Sequence, residues 1–87
     1  MFDIYLLKFN TGSEVLDHKD PSPIEGREHH RLNIVLKPAI RGGKFVIQGK
    51  AQEGRVYRFR PDKYKHKVTK IKEGTRYVLS IGWLRAA

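Results

Sequence analysis

Apolar and polar residues alternate in short bursts along this chain, and no window of a dozen residues carries a helical apolar stripe. Rich in β-branched and aromatic residues, the bursts predict strands near Phe2–Asn10, Glu14–Asp20, His30–Lys37, Lys44–Gln48, Arg55–Arg60, His66–Ile71 and Arg76–Leu84. The breaks between them have their own chemistry. Thr11-Gly12-Ser13 and Arg41-Gly42-Gly43 tolerate positive φ, whereas Pro21-Ser22-Pro23 and Pro38 cannot donate to a central ladder. Lys72-Glu73-Gly74-Thr75 reads as a short hairpin loop, and Arg27–His30 as at most one helical turn before the third strand. Seven short strands in one unit predict an all-β sandwich or jelly-roll-like barrel. Smaller barrels of the OB or SH3 kind use about five strands.

Length and composition narrow the picture. A chain of 87 residues holds one domain, taken as residues 1–87, with a core small enough for a metal, a partner or a dimer contact to matter. There is no cysteine, so any metal must be held by nitrogen and oxygen, and four histidines are available. The opening Met-Phe-Asp-Ile-Tyr-Leu-Leu-Lys is neither a signal peptide nor a membrane span, which needs about 20 apolar residues. No membrane association is expected, and the expected compartment is the cytoplasm, of a cell or of a virus-infected cell. The net charge of +9, with a local cluster at Lys63, Lys65, Lys67, Lys70 and Lys72, suits polyanionic partners such as nucleic acid or acidic proteins. It equally suits a solvated face.

Strand alternation then selects candidate chemistry. His18 and Asp20 share one face of the second strand, with Lys19 opposite. One imidazole and one carboxylate so placed, joined by a distant histidine, make a two-histidine, one-carboxylate face that leaves positions on an iron(II) ion open. His66 opens a strand, and ten positions later Arg76 opens another. A tight loop would join these two as an antiparallel hairpin with both side chains facing one pocket. Arg76 offers a planar fork for a carboxylate, and Ser80 lies four residues on, on the same face.

The order His18-x-Asp20, His66, Arg76 resembles the iron and cosubstrate motif of the 2-oxoglutarate/Fe(II)-dependent oxygenases, most closely the prolyl-hydroxylase-like branch. His30–Leu36 followed by Gly42-Gly43-Lys44-Phe45, the run Gly54–Pro61, His66-Lys67-Val68, Gly74-Thr75-Arg76 and the terminal Gly82-Trp83 extend the resemblance from Tyr5 to Trp83. It implies a double-stranded β-helix (jelly-roll, cupin-like) with His18, Asp20 and His66 on Fe(II) and Arg76 on the distal carboxylate of 2-oxoglutarate. By position, Asn33 or Arg31 would meet the cosubstrate's inner end, Ser80 would add a hydrogen bond and Tyr57 would line its pocket. The implied reaction is oxidative decarboxylation of 2-oxoglutarate coupled to C–H hydroxylation, on a substrate the residues do not identify. Relatives are longer, with N-terminal helices behind the larger sheet. A minimal, viral-type member would need a second subunit or the substrate itself to complete a shallow pocket.

The remaining residues carry blander readings. His29 is assigned to solvent, and neither it nor His30 to a metal. Trp83 is assigned to the core, and Lys63-Tyr64-Lys65 to a polar loop that could also stack bases and neutralise phosphates. The competing function is a non-catalytic basic β-barrel that binds nucleic acid or an acidic protein.

Overall fold

A computed structural model describes residues 2–86 and contains only strands and connecting turns there. The elements are β1 (Phe2–Phe9), β2 (Val15–His18), β3 (Arg27–Lys37), β4 (Arg41–Gly42), β5 (Phe45–Ile47), β6 (Lys50–Ala51), β7 (Val56–Phe59), β8 (His66–Val68), β9 (Ile71–Glu73) and β10 (Arg76–Ala86). The all-β expectation therefore holds, and no helix among the described residues is long and apolar enough to cross a membrane.

Two antiparallel four-stranded sheets form, in the orders β1-β10-β3-β7 and β2-β8-β5-β6, with a small ribbon β4-β9 beside them. Side chains that alternate onto one face of the larger sheet line up across it. One row is Asp3, Gly82, Arg31 and Phe59, and the next is Tyr5, Ser80, Asn33 and Tyr57. The smaller sheet answers with His18, His66 and Ile47 in one row and Val15, Val68 and Phe45 in another. Aromatic contacts bind the two faces. The Phe45 ring stacks on Tyr57 at 5.1 Å and meets Phe59 edge-on at 4.9 Å. Val35, Val68 and Val78 complete the core, with Leu7, Phe9, Val15 and Ile47 packed against it.

The opposite face of the larger sheet is less covered, and Phe2, Ile4 and Leu6 on β1 are exposed. Trp83 lies on that side, half-buried between His30 (rings 5.9 Å apart, nearly parallel) and the Arg58 guanidinium 5.1 Å away, so it is not a core residue.

The structure corrects two local expectations. Arg27–His30 is extended from its first residue, because Arg27 and Glu28 pair with Ala86 and Arg85 of β10. A ladder partner outweighs a weak helical preference. The predicted hairpin between the His66 and Arg76 strands does not form either. After Val68 the chain leaves the smaller sheet, as Thr69 N–H donates to Lys44 O and Thr69 Oγ1 accepts from Lys44 N–H. Ile71 N–H then donates to Ser13 O and Ile71 O accepts from Gly12, so β9 turns to β4 while β10 inserts between β1 and β3. His66 and Arg76 thus face the same interior from opposite sheets.

Candidate metal centre

His18 ends β2, Asp20 follows two residues later, and His66 opens β8 directly across from His18. The imidazole centroids are 4.4 Å apart. Their Nε2 atoms each lie 3.2 Å from an Asp20 carboxylate oxygen, His18 against Oδ1 and His66 against Oδ2. One ligand atom from each of the three falls within 4.8 Å of the others.

The other ring nitrogens face backbone carbonyls. Nδ1 of His18 is 2.6 Å from Leu16 O, and Nδ1 of His66 is 3.0 Å from Tyr64 O. A carbonyl only accepts, so each Nδ1 donates to its carbonyl, and both Nε2 atoms face the Asp20 carboxylate. Two imidazole nitrogens and a carboxylate facing one point suit a divalent cation between them. Backbone carbonyls holding the far nitrogens are the usual outer support of metal-binding imidazoles. Asp20 is itself pinned, its N–H donating to Pro61 O at 2.8 Å. Phe59 packs edge-on against the His66 ring at 5.2 Å, which leaves that side chain only 7 % exposed. His18 and Asp20 stay partly exposed and form the mouth.

Deeper in the cavity of about 200 Å³ stands Arg76, only 3 % exposed. Its Nη2 donates to the Tyr57 hydroxyl at 2.8 Å, and its guanidinium lies 5.6 Å over the Phe9 ring. No carboxylate comes within 4.0 Å of it among the described residues. Burial pushes the Tyr57 phenol above its ordinary pKa, with Arg76 pulling the other way.

The rest of the candidate set divides in two. His18, Asp20, His66, Arg76, Ser80, Asn33 and Arg31 all line this cavity. Tyr57 lines a neighbouring one and reaches the site through its hydrogen bond to Arg76 and its stacking on Phe45. Arg31 is already engaged. It makes a bidentate ion pair with Asp3, donates from Nε to Ser80 Oγ at 2.8 Å and from Nη1 to His29 Nε2 at 3.1 Å. Ser80 in turn donates its only hydroxyl hydrogen to Asn33 Oδ1 at 2.7 Å. The Arg31 side chain reaches Asp3 across the intervening Gly82, where an added Cβ would sit 2.5 Å from Arg31 Nη1.

Asp3 and Gly82 were therefore missing from the sequence-based site. Alternation along β1 (Asp3, Tyr5, Leu7, Phe9) was the available signal for Asp3. His29 is not a solvent residue: it is half-buried beside Arg31, and its Nδ1 has no partner. Burial, then the Arg31 charge, lower its pKa.

These shifts set a pH response. A histidine whose folded pKa is depressed contributes stability that is complete above its unfolded value, about 6.5, and is lost as pH falls through the folded value. Asp62 behaves alike at lower pH. Burial raises its pKa, but hydrogen bonds from Arg60 and the His29 N–H outweigh that and leave it lowered. Thermal melts in chelator are expected to fall between pH 7 and 5.5, and again below about pH 4. In His29→Gln the first slope should shrink relative to the parent chain. An unchanged slope assigns it elsewhere.

No protein-family model matches this chain, and no curated protein matches it either.

Proposed function

We propose that this protein is a minimal Fe(II)- and 2-oxoglutarate-dependent oxygenase, a hydroxylase built on a double-stranded β-helix. One observation carries the reading. A single cavity contains two imidazole Nε2 atoms and a carboxylate converging at one end and, deeper in, a buried guanidinium without a counter-ion among the described residues. The first group suits a divalent first-row metal, and the second a ligand carboxylate. The sheet orders support the barrel type. Each sheet interleaves strands distant in the chain, as the paired Greek keys of a jelly roll do.

The donor set fits iron: three protein ligands on one side leave room for a chelating cosubstrate and for oxygen. When bound, iron would supply the oxygen activation that couples two-electron decarboxylation of 2-oxoglutarate, to succinate and CO₂, to two-electron hydroxylation of a C–H bond. The chain's own work is placement. The Leu16 and Tyr64 carbonyls hold both rings with Nε2 inward. Arg76, steadied by Tyr57, would hold the distal carboxylate. The Asn33 carbonyl is held by Ser80, which leaves its amide NH₂ to donate to the cosubstrate's inner carboxylate. Leu7, Phe9 and Val78 keep water from the stem of the cavity.

Purified protein with iron(II), ascorbate and 2-oxoglutarate is expected to release succinate, and Arg76→Ala to lose most of that turnover at subsaturating cosubstrate. No succinate, together with no retained metal, would sink the reading. A second reading, a basic module for nucleic acid or an acidic protein, rests on the lysines. None of the ten has a carboxylate within 4.0 Å among the described residues. Such binding would weaken steeply with salt and survive His66→Ala.

A further inference from the structure

A second cavity of about 390 Å³ shares Phe45 and Arg76 with the cavity of the three candidate ligands. Its wall comes from the end of β3, the loop through Pro38 to Lys44 and the approach to β7. Four of its residues are cationic, Arg41, Lys44, Arg55 and Arg76, and none is acidic. Only Arg41 is neutralised, by Glu73 at 2.9 Å from outside the wall. Lys44, Arg55 and Arg76 have no carboxylate within 4.0 Å among the described residues. Three uncompensated positive charges therefore share one concave surface.

That surface is rigid where it matters. Arg55 O accepts from Val35 N–H at 2.7 Å. Lys44 is tied to Thr69 through both its N–H and its carbonyl. Arg41 pairs with Glu73 in the β4–β9 ribbon. Gly43 closes the wall where a Cβ would press 2.9 Å from the Ile71 side chain. The backbone is thus fixed by cross-strand hydrogen bonds, while the exposed heads of Lys44 and Arg55 remain free to close on a ligand. Concentrated like charge in a recess raises the local concentration of counter-ions, and guanidinium forks match oxyanions in two-point contact.

We propose that this recess is a binding site for a compact, multiply charged oxyanion, with Arg55 and Lys44 as its anchors. Arg76 stands in the walls of both cavities, so an anion here also draws on the guanidinium assigned to the cosubstrate. Occupancy then weakens 2-oxoglutarate binding. This coupling, unlike the site itself, rests on the oxygenase reading.

The test is calorimetric titration of the full chain with pyrophosphate, and separately with citrate, at constant ionic strength set by sodium chloride. One saturable site is expected, weakened about tenfold or more in Lys44→Ser/Arg55→Ser. The double variant should keep the parent's melting temperature and metal affinity, and Arg55→Lys should retain part of the binding. The stronger of the two titrants tells a phosphate source from a polycarboxylate one. No saturation, or equal binding by parent and double variant, overturns the site. Anion binding without any effect on 2-oxoglutarate affinity overturns the coupling alone, and anion binding in a protein that never binds 2-oxoglutarate leaves the site standing without the oxygenase.

Discussion

His66→Ala is expected to abolish retention of a divalent metal. His66 offers one of three converging candidate ligand atoms, and its ring packs between Phe59 and His18. Loss of an outer partner to a metal ligand costs about 10–100-fold in affinity, and loss of a ligand itself costs more. The parent chain gives the contrast. A metal at about one hundred times its dissociation constant stabilises the folded state by about 2.7 kcal/mol. For a domain of this size that raises the melting temperature by roughly 15 °C. Manganese(II) added to the parent should produce such a shift, and manganese(II) added to His66→Ala should produce none. The variant also melts lower without metal, since removing a buried ring leaves a hole beside Phe59. The comparison is therefore the metal-induced shift within each protein. An equal shift in both would remove His66 from the site.

The second large effect is on stability. Gly42→Ala is expected to cost about 3–5 kcal/mol, most of the margin of a small domain. Gly42 has φ +74°, and a Cβ there would lie 2.1 Å from Lys70 O and 3.0 Å from Lys72 N–H. Both are backbone atoms, and Lys70 O accepts from Gly43 N–H, so no side chain can swing away to make room. The matched control is Gly26, with φ +78° and no atom within 4 Å of an added Cβ. Gly26→Ala meets only the left-handed penalty, about 1–2 kcal/mol. Denaturant melts of the two variants isolate the contact from the conformation. Equal destabilisation would mean that the Lys70 contact relaxes at no cost.

This difference between two glycines also shows what the amino-acid order does and does not disclose. Both sit in recognisable breaks between strands, and nothing local tells the crowded one from the open one. The same holds for the strands. Period-two alternation located the bursts around β1, β2, β3, β5, β7, β8 and β10, because alternation is a local consequence of one buried face. It passed over the two-residue strands β4 and β6, too short to show a period. It also joined β8 to β9 and both to β10, since Lys72–Thr75 is a good turn whichever sheet the flanking strands join. Pairing is decided by distant partners such as Ser13 and Lys44. For the site, His18 and Asp20 were legible as a same-face pair, and the convergence of His66 and Arg76 on their cavity was anticipated through a wrong connection. The Arg31–Asp3 ion pair across Gly82 was not legible, because it joins three strands whose adjacency only the folded sheet creates.

That adjacency has a consequence for assembly. An inner strand of the larger sheet, β10, is also the last described element of the chain, and the first, β1, has it as its only neighbour. During synthesis β1 waits unpaired until β10 emerges, whereas β3 can meet β7 earlier. Contacts so remote along the polypeptide close slowly, on the order of milliseconds to seconds. The segment holding His18 and Asp20 leaves the ribosome long before its other half. The interval before β10 docks is when the apolar residues of β1 are most open to aggregation or to a chaperone.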